Sequence, residues 1–135
     1  MSPDLDARLC ADFPQLYSVR HGDTRGSVSH FGFETDDGWF RIIHALSARL
    51  EEIIEGLPPG ERDEYYAVQV KEKFGSLRFY MSMETEEMIR AIQEVEAQSI
   101  ATCETCGLPG KRRGRGWVKT LCDRHAELMP NTGAR

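Results

Sequence analysis

No run of roughly eighteen apolar residues occurs anywhere in the chain, so a membrane-spanning helix is not expected. The opening residues, MSPDLDARLC, have neither a basic start nor an apolar stretch, which argues against a secretory signal and for action in the cytoplasm. No internal repeat or low-complexity stretch is present. Cysteine is scarce: four residues, with Cys10 alone near the start and three crowded beside a histidine in the last third. Such spacing suggests metal and not disulfides, the plain alternative being ordinary buried cysteines and a surface histidine that fall at ligand spacing. Cys10 is most simply a small buried hydrophobe. Catalytic groupings are also missing. His21, His30 and His44 are scattered over different segments, and no serine or cysteine lies in a recognisable nucleophile context. The chain is therefore not expected to be an enzyme.

What is present suits a folded protein. Hydrophobic residues make up 40% and charged residues 29% of the 135 positions, enough for one modest core. That length fits a single domain, or one domain with a small appended module. The net charge of -5 is unevenly spread. From Cys103 to Ala126 six basic residues stand against Glu104 and Asp123, giving +4 there and -9 elsewhere. A polar distribution of this kind orients one end toward an acidic partner and argues against general coating of nucleic acid.

Periodicity supplies the elements. Leu5, Leu9, Phe13 and Leu16 recur at helical steps, and Pro14 should end that first helix. Arg20 to Arg25 read as a loop, and SVSHFGFET then alternates as a strand with Phe31 and Phe33 on one face. Asp36 and Asp37 suit a helix N-cap; a cation is the alternative, but capping explains them more simply. The clearest helix follows, with Trp39, Ile42, Ile43, Leu46, Leu50, Ile53 and Ile54 on one side, and it should stop at Gly56 before the Leu57 to Gly60 breaker. YYAVQVK and SLRFYMSM alternate around a short turn at Lys73 to Gly75, predicting an antiparallel hairpin. A second amphipathic helix should cover Thr85 to Ile100, burying Met88, Ile89, Ile92, Val95 and Ile100. The expected fold class is α+β: a small antiparallel sheet covered by helices, with residues 1–101 as the body, 102–129 as a treble-clef-like zinc finger and 130–135 as a disordered tail.

The metal signal is the strongest in the chain. Cys103 and Cys106 are two residues apart, as are Cys122 and His125, and fifteen residues separate the pairs. Structural zinc takes four such ligands in a tetrahedron, and each short gap lets a tight turn aim two of them inward. Gly107 gives the first turn freedom, Gly114 and Gly116 with WVKTL suggest a hairpin, and Cys122 should open a short helix carrying His125. One structural Zn²⁺ is expected. A catalytic zinc would keep an open position, and a treble-clef nuclease would need a further histidine or asparagine, whereas the module's only histidine is already a ligand.

Two surfaces admit both a functional and a plain reading. Lys111, Arg112, Arg113, Arg115 and Lys119 could contact phosphates while Trp117 stacks on a base; alternatively Trp117 packs the finger and the arginines are solvated or pair with the acidic body. VKEKFGSLRFY could be a recognition hairpin. The plain reading has Leu77, Phe79 and Met81 facing the core and Arg78 and Tyr80 facing out, as any stable hairpin requires.

The blocks DDGWFRIIHALSARL, VQVKEKFGSLRFYMS and TCETCGLPGKRRGRGWVKTLCDRHA make the chain resemble a group of small phage- and prophage-encoded proteins, with a likeness that begins at LCADFPQLYSVR and spans nearly the whole length. One departure is that Thr35, Asp36 and Asp37 stand where that group has a cysteine or glycine ahead of GWF. No ligand is affected. The resemblance implies a mobile-element setting inside a bacterial host cell. It suggests a host protein or ribonucleoprotein as partner, with inhibition of a defence system such as CRISPR as one form of that binding.

Overall fold

The computed structural model describes residues 1–19 and 32–128. The loop expected at Arg20 to Arg25, the first part of the strand with Phe31, and the tail lie outside the described residues. Among the described residues the fold is α+β, with four helices, a three-stranded sheet and a two-stranded C-terminal ribbon.

Helix α1 spans Pro3–Asp12, with proline in its first turn, where a missing N–H costs nothing. Strand β1, Phe33–Glu34, leads through a 3-10 turn at Asp37–Trp39 into α2, Phe40–Glu55. Gly56 closes α2 as its pattern predicts. The capping role expected of the two aspartates is not made: Asp36 sits at the N-cap without a side-chain bond, and the Asp37 carboxylate accepts the Ser2 amide at 2.7 Å.

Strands β2, Ala67–Lys73, and β3, Ser76–Met81, form the expected antiparallel hairpin. β1 instead lies parallel to β2, pairing Phe33 with Val70 and Glu34 with Lys71, so the sheet is mixed. A parallel neighbour needs a crossover, and α2 supplies it by filling the connection between them. Helix α3, Glu86–Ser99, begins at Thr85, whose hydroxyl accepts the Met88 amide at 3.2 Å. Its buried side consists of Met88, Ala91, Ile92 and Ser99; Ile89 faces solvent.

Between helices and sheet lies one core. Trp39, Ile43, Leu50, Ile54, Val70, Leu77 and Met88 are fully buried there, and shortening any of the leucines or isoleucines to alanine should cost about 2–5 kcal/mol. The segment after α1 joins the same core. Leu16 pins it by accepting the Ala67 amide at 2.8 Å, and Tyr17 exchanges a 2.6 Å hydrogen bond with the Ser47 hydroxyl. Burial pushes the Tyr17 phenol far above its ordinary range, so it stays protonated.

The hairpin turn is built from Phe74 and Gly75, with φ of 54° and 81°. Two positive φ values define a type I′ turn, whose twist matches that of the strands. Glycine adopts this conformation freely, but a phenylalanine there costs roughly 1–2 kcal/mol.

Candidate metal centre

The C-terminal unit begins where α3 ends. Its ribbon pairs β4, Lys111–Arg113, with β5, Lys119–Leu121, and α4, Asp123–Glu127, follows. Cys103 and Cys106 flank a knuckle closed by two backbone bonds, from the Gly107 amide to the Cys103 carbonyl at 2.8 Å and from the Cys103 amide to the Leu108 carbonyl at 2.7 Å. Gly107 takes φ 83°, which the turn requires. Cys122 precedes α4, and the first turn of that helix brings His125 back toward it, as the Ala126 amide bonds the Cys122 carbonyl at 2.9 Å.

All four predicted ligands converge. The donor atoms of Cys103, Cys106, Cys122 and His125 lie within 4.8 Å of one another and could hold a metal ion. The Cys106 and Cys122 sulfurs are 3.8 Å apart, and His125 Nδ1 lies 3.2 Å from the Cys122 sulfur and 3.8 Å from that of Cys103. Burial pushes the Cys103 thiol up, but backbone bonds involving Cys122, Cys106 and Thr105 more than offset this and bring it to about 6. Cys106 moves the other way. A backbone bond with Leu108 pulls it down, while burial and the two adjacent sulfurs raise it on balance. Crowded thiols resist simultaneous ionisation, which is what a cation would relieve.

A small apolar cluster of Leu121, the two buried cysteines Cys103 and Cys122, and Ala126 surrounds the site. Trp117 is not part of it. Its ring is 47% exposed, with the Lys119 ammonium 6.0 Å from its centre.

The unit is joined to the body by a polar seam that sequence reasoning did not anticipate. Glu104, between the first two cysteines, is 1% exposed. Its carboxylate accepts the Lys119 ammonium at 3.1 Å and the Asp36 amide at 3.0 Å, and Lys119 also reaches Glu72 at 3.6 Å. Burial pushes the Glu104 carboxyl above its ordinary range against the pull of Lys119. The Trp39 indole donates to the Thr102 carbonyl at 2.8 Å, and the Thr120 hydroxyl to the Gly75 carbonyl at 2.5 Å. An acidic residue inside a CxxC pair, with a lysine on the facing strand, is the signal that could have revealed this seam.

The basic residues divide accordingly. Lys119 is committed to Glu104 and Glu72, and Arg113 bonds the Leu121 carbonyl at 2.9 Å and the Asp123 carboxylate at 2.6 Å. Lys111, Arg112 and Arg115 are exposed. Comparison with family models, with curated proteins and with solved structures gives no match.

Proposed function

We propose that this chain is a non-enzymatic binding protein stapled by one structural zinc ion, and that its partner is a protein or ribonucleoprotein of the cell in which it acts. The observation that carries this reading is the completeness of the donor set. A tetrahedron with zinc–sulfur bonds of about 2.3 Å has edges of roughly 3.8 Å, the separation of the Cys106 and Cys122 sulfurs. Three soft thiolates and an imidazole suit zinc above other divalent ions. Four protein donors fill the sphere and leave no position for a reacting water.

Zinc held there has a mechanical role. It would fix the knuckle against Gly38 and the ribbon against the hairpin tip, so that body and finger present one surface. On the resemblance to phage-encoded chains, the partner would belong to a bacterial defence system, and the mechanism would be occlusion of its working surface. Affinity capture from host lysate by zinc-loaded protein, with and without nuclease, tests the reading. One specific protein recovered in both samples is expected; recovery of nothing above background would sink it.

The second reading is a nucleic-acid-binding regulator that uses the finger loop. It is favoured by the exposure of Lys111, Arg112, Arg115 and Trp117. It predicts capture that is lost on nuclease treatment and that weakens steeply with salt.

A further inference from the structure

The β2–β3 hairpin carries three features that serve nothing in the core, two of them at a cost in stability. Phe74 is the only non-glycine residue with positive φ among the described residues, and its ring is 59% exposed. Lys71 pairs directly with Arg78 across the strands, and like charges at such positions repel. Tyr80, on the same outward face as Arg78, is also exposed. An observed backbone outlier that also displays an aromatic ring to water points to function at that position.

The tip is held rigidly in spite of this cost. The Gly75 amide donates to the Glu72 carboxylate at 2.7 Å and its carbonyl accepts the Thr120 hydroxyl, so the turn is gripped from both sides. A Cβ on Gly75 would lie 3.0 Å from the Arg112 side chain, so that finger cation stands directly beside the turn. The Lys73 ammonium lies 5.8 Å from the centre of the Phe74 ring. Among the described residues Lys71, Lys73, Arg78 and Arg112 form no ion pair within 4 Å. Two carboxylates temper the face: Glu34 is the register partner of Lys71 in β1, and Glu96 feels the charge of Arg78. Glu72 points the other way, to Lys119 and the Gly75 amide.

We propose that this outward hairpin face, with Phe74 at its tip and Arg112 beside it, binds a single strand of nucleic acid. The proposal rests on the second reading, a nucleic-acid-binding regulator, and places its decisive contact on the hairpin beside the finger loop. A protein pocket receiving Phe74 would have to desolvate Lys73 and Arg112 at its rim, and charged residues are depleted from the dry centres of protein interfaces. A single strand meets both needs at once, offering base faces to Phe74 and Tyr80 and phosphates to the cations between them. In a duplex the bases are stacked and paired, so Phe74 would have no partner.

The test is fluorescence anisotropy of labelled oligothymidylate and oligouridylate, beside a duplex of equal length, with the zinc-loaded full chain at about 50 and 200 mM salt. Binding to either single strand in preference to duplex is expected, and the two oligomers distinguish DNA from RNA. Phe74→Asn should weaken it about tenfold while raising the melting temperature, because asparagine tolerates the left-handed conformation. Misfolding therefore cannot account for that loss. Lys73→Ala and Arg112→Ala should each weaken binding and lower the salt slope by about one. Failure to bind either oligomer at the lower salt, a preference for duplex, or unchanged affinity in Phe74→Asn would overturn the proposal. If such a failure accompanies one zinc per chain and a nuclease-resistant protein partner, the binding-protein reading survives it.

Discussion

The amide of Gly38 donates to the carbonyl oxygen of Glu104 at 2.7 Å, and a side chain at Gly38 would overlap the carbonyl oxygens of Cys103 and Glu104. The first turn leading into α2 thus lies flush against the Cys103–Cys106 knuckle. Replacing Gly38 with alanine should cost about 1–3 kcal/mol through overpacking, because the obstructing atoms are backbone and cannot swing away. A urea titration would show it as a lower midpoint. An unchanged midpoint would mean that the finger does not lean on this contact.

Lys119→Met leaves the Glu104 carboxylate buried with only the Asp36 amide as partner. Removing one member of a buried ion pair costs about 3–5 kcal/mol, and the partial exposure of Lys119 reduces the expectation to about 2–3 kcal/mol. Adding Glu104→Gln should recover part of the loss, since the stranded charge is then gone. If the double variant is less stable than the single, the pair is not the seam's main electrostatic element.

Cys106→Ala removes one of the four proposed zinc ligands. The zinc content of the purified protein should fall from one per chain to well below that, and the finger should lose its protection from proteolysis, because so small a unit draws its stability from the metal. Full occupancy by mass spectrometry in this variant would disprove the ligand assignment.

Glu96 accepts the Phe79 amide at 3.2 Å, and burial holds its carboxyl above the ordinary 4.5, with the Phe79 bond and Arg78 pulling the other way. A carboxyl with a raised folded value destabilises the fold while it is ionised, and the cost disappears as pH falls through that value. Glu96→Gln keeps an acceptor and removes the charge, so it should be more stable than the parent near neutrality. That advantage should vanish as pH drops toward 4.5. Denaturation midpoints across pH 4 to 8 would reveal the converging curves; a constant gap would assign the effect to something other than ionisation.

Elements with a strong local period were legible in the sequence: α2 from its apolar stripe, the hairpin from alternation around a glycine, and the clustering of Cys103, Cys106, Cys122 and His125 from their spacing. Relationships between distant segments were not. The parallel placement of β1 depends on how α2 crosses the sheet, which a strand of alternating residues does not encode. Ile89 fits the apolar stripe of α3 as well as Ala91 does, yet Ala91 is the one buried, since only packing against α2 and β3 decides which edge of the stripe turns inward. Lys119 reads as an extension of the basic loop Lys111 to Arg115 that precedes it, although Val118 and Thr120 beside it are uncharged. Its commitment to Glu104 follows from β5 lying against the knuckle, and the acidic residue inside the CxxC pair is the one local hint of it. At Phe74 the composition KFG signalled a turn, but not that phenylalanine would occupy the left-handed position.

The indole of Trp39 ends at the carbonyl of Thr102, 63 positions further along the chain. During synthesis the body's largest buried side chain must therefore wait, its N–H unmatched, until the last third of the protein has been made. A product cut short before the knuckle would leave that donor unsatisfied inside an otherwise finished body, marking the chain as incomplete to proteases that sample loosened structure. The residue that opens the finger thus also fastens the body, and only chains that reach Thr102 can close that bond.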